Sequence, residues 1–160
     1  MVMIEGYGGR DFEKGPESYT SKKFFDIIFD ATGLGNFRGK AIVVDFMSGP
    51  GLVALAMRER SPQHAYTVLD ASQKLLDQLK AKETAIGTIC ADVRDLSSAI
   101  EDESIDVAVV RYALKDIPKG QQAGVLSGIF KKLKPGGVLV IADMFSPEGA
   151  KEFTNKQHSR

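Results

Sequence analysis

Ile42-Val43-Val44-Asp45-Phe46-Met47-Ser48-Gly49-Pro50-Gly51 decides the fold. Its run of β-branched apolar residues suits a parallel strand covered on both faces. The run ends on an acid, enters a Gly-rich turn, and is followed by a helical pattern over 52–60. Gly49 and Gly51 let the backbone pass close to a ligand, where a Cβ would intrude. The helix points its free N–H groups and the positive end of its dipole at the same place. A nucleotide-like ligand suits that position. Asp45 narrows the choice, because a carboxylate at the strand end repels phosphate and attracts a cation or hydroxyl groups.

Outward from this stretch the chain alternates between strand and helix patterns. A helix over 17–32 carries Phe24, Phe25, Ile28 and Phe29 at helical spacing, and Gly33 is its natural stop. Strands are predicted over 40–45, Ala65–Asp70, 85–91, 105–112 and 138–145. The second ends on Asp70, and the third runs into Asp92. Helices over 72–82 and 119–133 and a short one over 96–100 fill the intervals. The helix over 119–133 places Val125, Leu126, Ile129, Phe130 and Leu133 on one side, and Pro135-Gly136-Gly137 reads as a tight turn. Residues 1–16 are Gly-rich and polar, a mobile arm. Beyond Pro147, where another helix could begin, the sequence turns polar. The alternation predicts an α/β sheet, mainly parallel, with right-handed crossovers. Ligands bind such sheets outside the carboxyl ends of the strands, so Asp45, Asp70 and Asp92 would share one rim.

Composition excludes several classes. At 160 residues the chain is expected to be a single domain. Lys and Arg together number 21, as do Asp and Glu, so no net charge draws the protein to nucleic acid or an anionic membrane. No apolar stretch approaches the length of a membrane span, and residues 1–10 lack the apolar core of a signal peptide. Cys90 is the single cysteine, which forbids an internal disulfide and fits a cytoplasmic setting. It precedes the third acid on a strand expected to be buried, where it would be inert. His64, His158 and Cys90 have no metal-ligand spacing. Ser48 lacks the Gly-x-Ser-x-Gly setting of a hydrolase nucleophile.

Five segments, in order, resemble the class I S-adenosylmethionine-dependent methyltransferases. Val43-Val44-Asp45-x-x-Ser48-Gly49-Pro50-Gly51 is similar to the family's first motif, and Val68-Leu69-Asp70 to its second acidic site. Cys90-Ala91-Asp92-Val93 resembles the third, and 106–114 the fourth strand and its loop. Leu133-Lys134-Pro135-Gly136-Gly137 and the strand after it resemble the next. The resemblance implies a Rossmann-like three-layer sandwich of strand order 3-2-1-4-5 and S-adenosyl-L-methionine as cofactor. It implies an electrostatic role for Asp45 near the methionine ammonium, with Ser48, Gly49 and Gly51 lining the turn. Asp70 would accept both ribose hydroxyls and Ala71 would flank the adenine. Asp92 would take the adenine amino group, and the Val93 N–H a ring nitrogen. Arg111 and Tyr112 would lie by the methionine end.

Each assignment has a plainer counterpart. Asp92 could be a strand-end turn residue, and Arg111 an ion-pair partner of a nearby acid. Lys115 stands where small-molecule O-methyltransferases of the family place a His base, but reads better as a solvated lysine. Asp116 is then a turn or cap residue. Tyr7 and Tyr19 could reach over the cofactor or be partly exposed packing aromatics.

The chain also departs from the family pattern. Met47 stands where the family usually has Gly, which would crowd the methionine moiety. The usual final helix and antiparallel strands do not follow the fifth strand. Its apolar edge would then be bare, a condition proteins avoid, and the chain is either a fragment or has that edge covered by a second copy or a partner chain. Absence of an Asn/Asp-Pro-Pro-aromatic sequence after the fourth strand weighs against a nucleic-acid base as substrate. The expected activity is methyl transfer to a small molecule. A non-catalytic S-adenosylmethionine-binding module, or a subunit of a larger assembly, is the alternative. An NAD-dependent oxidoreductase is third, since Gly49-Pro50-Gly51-Leu52-Val53-Ala54 satisfies Gly-x-Gly-x-x-Ala.

Overall fold

The computed structural model describes residues 2–5 and 21–143. Its elements are β1 (Val2–Glu5), α1 (Lys22–Thr32), β2 (Ile42–Phe46), α2 (Leu52–Arg60), β3 (Ala65–Asp70), α3 (Gln73–Lys80), β4 (Gly87–Cys90), β5 (Ile105–Arg111), α4 (Lys119–Lys132) and β6 (Leu133–Asp143). One six-stranded sheet runs in the order β1-β6-β5-β2-β3-β4, and every pairing in it is parallel. Counted from β2, the strands read from sequence stand in the expected order 3-2-1-4-5.

The period of two along the strands divides the core. Val43, Val68, Val107, Val109 and Val140 face α1, α2 and α3, meeting Ile28, Phe29, Val53, Met57, Leu76 and Leu79. Val44, Phe46, Leu69, Ala108, Val110, Leu139 and Ile141 face α4 and the segment before β5, meeting Val93, Leu96, Val125 and Ile129. Both faces are apolar because both are covered. α1 begins where the Ser21 hydroxyl accepts the Phe24 N–H and ends at Gly33, in the left-handed region at φ 73°. Ser72 caps α3 in the same way, accepting from Leu75. None of the described helices is long and apolar enough to cross a membrane.

β1 corrects two expectations. Instead of an unstructured arm over 1–16 and a bare edge on the last strand, Val2–Glu5 pair in parallel with residues 140–143 of β6. Val-Met-Ile-Glu is a short apolar run that suits an edge strand, and it covers residues 140–143 of β6. Residues 6–16 lie outside the described residues, as do 17–20 of the helix expected over 17–32, residues 144–145 of the last strand and the segment from Pro147 onward.

The expected turn at Pro135–Gly137 is instead a bulge within β6. Ile105 pairs with Leu133 and Val107 with Val138, so extra residues stand opposite Asp106. Gly136 has φ 82°, and a Cβ on Gly137 would stand 2.9 Å from the Lys134 carbonyl oxygen. Residues 96–100 form turns rather than a helix, although Leu96 and Ile100 are buried. Phe130 points outward and is 60% exposed. Val125 and Ile129 hold the inner face of α4, and the next residue lies about 100° further round.

Candidate functional site

Parallel strands bring their carboxyl ends to one rim. β2 delivers Asp45, β3 Asp70, β5 Arg111 and β6 Asp143. Asp45 is 2% exposed, and neither of its carboxylate oxygens has a hydrogen-bond partner. Burial pushes its pKa from the ordinary 3.8 up to about 7. The Ala54 amide and the Arg111 charge act in the opposite direction and do not offset the burial. The Ser48 hydroxyl is also buried and without a partner. Each such group costs about 1–3 kcal/mol when left unsatisfied, so together they mark a place built for something polar.

The turn between β2 and α2 is closed by its own backbone. The Ser48 N–H donates to the Leu69 carbonyl at 3.1 Å, and the Gly51 N–H to the Ser48 carbonyl at 3.0 Å. Gly49 has φ 54°, and a Cβ there would meet nothing within 4 Å. The space expected beside this glycine is therefore present. Gly51 carries a packing constraint that the sequence does not show. A Cβ on it would stand 2.7 Å from Leu79 Cδ2, so glycine lets α3 pack against the turn. Gly51 also opens α2 without a side-chain cap.

Asp70 reaches back to this turn. Its Oδ2 accepts the Gly49 N–H at 2.7 Å and its Oδ1 the Ser72 N–H at 2.8 Å. Ala71 follows, exposed. Cys90 is exposed rather than buried, and its thiol lies 3.7 Å from the Ala71 carbonyl oxygen. β4 is an edge strand, which leaves that thiol at the surface. Asp92 is exposed and engaged by Arg94, whose bonds hold its carboxyl down at about 2. Val93 turns into the core, 6% exposed.

Arg111 sits among three rings, with its guanidinium carbon 5.6 Å from the centroid of Phe24, 5.4 Å from Phe25 and 5.4 Å from Tyr112. The ring of Phe24 also meets that of Tyr112 at 6.0 Å. The Ser21 cap thus fixes the start of α1 where its two phenylalanines cover the rim. Burial lowers the Arg111 pKa while the Asp45 charge opposes this. Arg111 therefore belongs to the same electrostatic cluster as Asp45.

Two residues after the central strands, Met47 (φ 53°) and Tyr112 (φ 51°), adopt left-handed backbone without being glycine. Such backbone costs roughly 1–2 kcal/mol per residue and concentrates at functional sites. The Met47 side chain packs against the α4-side core. Lys115 is exposed and paired with Asp116 at 2.7 Å, as the solvated reading expects. Tyr7 and Tyr19 lie outside the described residues.

Asp143 was not singled out by sequence reasoning. It is 2% exposed, and its Oδ2 accepts the Lys115 N–H at 3.1 Å, tying β6 to the loop after β5. The signal was available: residues 138–142 are an apolar run closed by an acid, as in β2 and β3.

The profile of the methyltransferase-domain family matches residues 43–137, more than half of the chain. A carboxy-S-adenosyl-L-methionine synthase from Geobacter metallireducens is 33% identical over 119 residues, covering 68% of this chain and 47% of that protein. O-methyltransferase 3 of Dictyostelium discoideum is 27% identical over 111 residues, covering 65% of this chain and 25% of that protein. The chain thus spans about half or less of the length of these curated relatives. The crystal structure of YcgJ from Bacillus subtilis shares the fold, with a TM-score of 0.68 at 20% identity over 84% of this chain and 56% of that one. On the family match, with the rim and strand order behind it, this chain belongs to the class I S-adenosylmethionine-dependent methyltransferases.

Proposed function

We propose that this chain binds S-adenosylmethionine on the rim and transfers a methyl group to a small molecule. The observation that carries this reading is Asp45, a buried carboxylate with two partnerless oxygens, together with the buried, partnerless Ser48 hydroxyl of the following turn. The residues suit a zwitterionic ligand without phosphate. Asp45 would attract its ammonium, and Arg111 its carboxylate. Asp70, held by two amides, keeps further lone pairs for the ribose hydroxyls. Ala71 would flank the adenine, with the Val93 N–H and Asp92 at its polar edge. Gly49 and Gly51 keep the turn low beneath the methionine end. Asp45 at the turn opposes a pyrophosphate, which argues against NAD.

When bound, the cofactor supplies an electrophilic methyl group on a sulfonium. The chain's own work is alignment and exclusion of water, which supply much of the rate in such transfers. Asp45 and Arg111 fix one end, and the Phe24, Phe25 and Tyr112 rings shield it. No side chain is assigned as base. Balanced charge and a single cysteine support a cytoplasmic protein with a small-molecule acceptor and no nucleic-acid or membrane partner.

One observation favours the non-catalytic module: Met47, where the family usually has Gly, stands in left-handed backbone next to the turn. Methyl-labelled S-adenosylmethionine offered with hydroxyl, amine and carbon acceptors separates the two readings. Label transfer that is lost in Asp45→Asn supports the enzyme. Cofactor binding with no transfer to any acceptor class supports the module.

A further inference from the structure

We propose that Arg94 competes for Asp92 and thereby sets the affinity of the adenine end of the site; this rests on the cofactor reading above. Asp92 Oδ1 accepts both the backbone N–H and the Nε–H of Arg94 at 2.9 Å. Its Oδ2 faces Nε at 3.0 Å and also Nη2. An ionised carboxylate has about four lone-pair positions, and three N–H groups of Arg94 are directed at them, the Nε–H shared between both oxygens. An adenine amino group is also a donor, so it competes with the guanidinium for the same two oxygens. The guanidinium is itself a donor only. The edge it presents therefore matches the oxo group of a deaminated purine and opposes a 6-amino group.

Arg94 has somewhere to go. Its side chain is 55% exposed. With Gln121, Gly124 and Val125 it borders an open cleft against α4, and a Cβ on Gly124 would meet nothing within 4 Å. The Arg94 N–H bond to Asp92 belongs to the backbone and survives a side-chain change. Arg94→Ala therefore frees the carboxylate while keeping the local turn.

The test is calorimetric titration of wild type, Arg94→Ala and Arg94→Lys with S-adenosylhomocysteine and with S-inosylhomocysteine, its deaminated counterpart, at low and high salt. Arg94→Ala is expected to tighten S-adenosylhomocysteine by about two- to fivefold, the range of an exposed ion pair, without tightening S-inosylhomocysteine. Arg94→Lys, which keeps the charge but loses the planar fork, should fall between. Wild type should gain S-adenosylhomocysteine affinity with salt relative to Arg94→Ala, because the competing pair is screened. Weaker binding by Arg94→Ala, or equal change for both ligands, overturns the competition. Wild-type binding with no tightening in the variant defeats this inference alone. No binding by any of the folded proteins defeats the cofactor reading and this inference with it.

Discussion

Asp45→Asn should make the protein more stable at pH 8 and worse at holding its cofactor. The carboxyl is raised from 3.8 to about 7 by burial, so between those values the folded protein holds a proton that the unfolded chain has released. Asp45 then contributes stability that is fully present below about pH 4 and lost as pH rises through about 7. At ~1.4 kcal/mol per pKa unit, the loss above pH 7 amounts to about 4 kcal/mol. Asn keeps the shape but carries no charge, so the variant escapes this loss. Its own amide still needs partners, and the expected gain at pH 8 is about 2–4 kcal/mol. At pH 4 the two proteins should differ little. Urea denaturation of both, without cofactor, at pH 4, 6 and 8 reads the difference directly. A gain of equal size at every pH, or no gain at pH 8, would refute the claim that an ionised, partnerless carboxylate strains this rim.

The two turn glycines should fail differently. Gly51→Ala meets Leu79 as well as left-handed strain and should lose about 2–4 kcal/mol in urea denaturation. Gly49→Ala meets only the strain, losing about 1–2 kcal/mol, but should weaken S-adenosylmethionine more than tenfold by titration. Asp143→Ala removes the Lys115 N–H acceptor and should cost about 1–3 kcal/mol, while Asp143→Asn, which keeps an oxygen there, should recover most of it by the same assay. Deleting residues 1–5 should speed hydrogen exchange in residues 140–143 of β6, since β1 then no longer covers them.

How far the chain could be read from sequence follows from how local each signal is. β2 to β6 are apolar runs punctuated by helices, so the strands were legible from the repeated pattern, while their order in the sheet came from the family resemblance. β1 is four residues in a Gly-rich segment, too short for its periodicity to stand out. Pro135-Gly136-Gly137 reads locally as a turn, and only pairing with Ile105 and Val107 makes it a bulge. In the site, Asp45, Gly49 and Asp70 were legible as strand-end and turn residues. Gly51 was legible as a turn glycine too, but its close contact with Leu79 was not, because that residue arrives from α3. The Arg94 fork on Asp92 depends on a rotamer that spacing does not specify. Asp143 was missed although its signal matched that of Asp45 and Asp70.

The central claim is that the rim holds S-adenosylmethionine, and calorimetric titration of the purified protein tests it most directly. S-adenosylmethionine and S-adenosylhomocysteine are the ligands, NAD is the control, and Asp70→Ala is measured beside wild type. The account predicts micromolar binding of the sulfur ligands, none of NAD, and a loss of more than about tenfold in Asp70→Ala, the scale of a hydrogen bond to a charged group. A folded protein that binds neither sulfur ligand, or binds them equally well without Asp70, would contradict it.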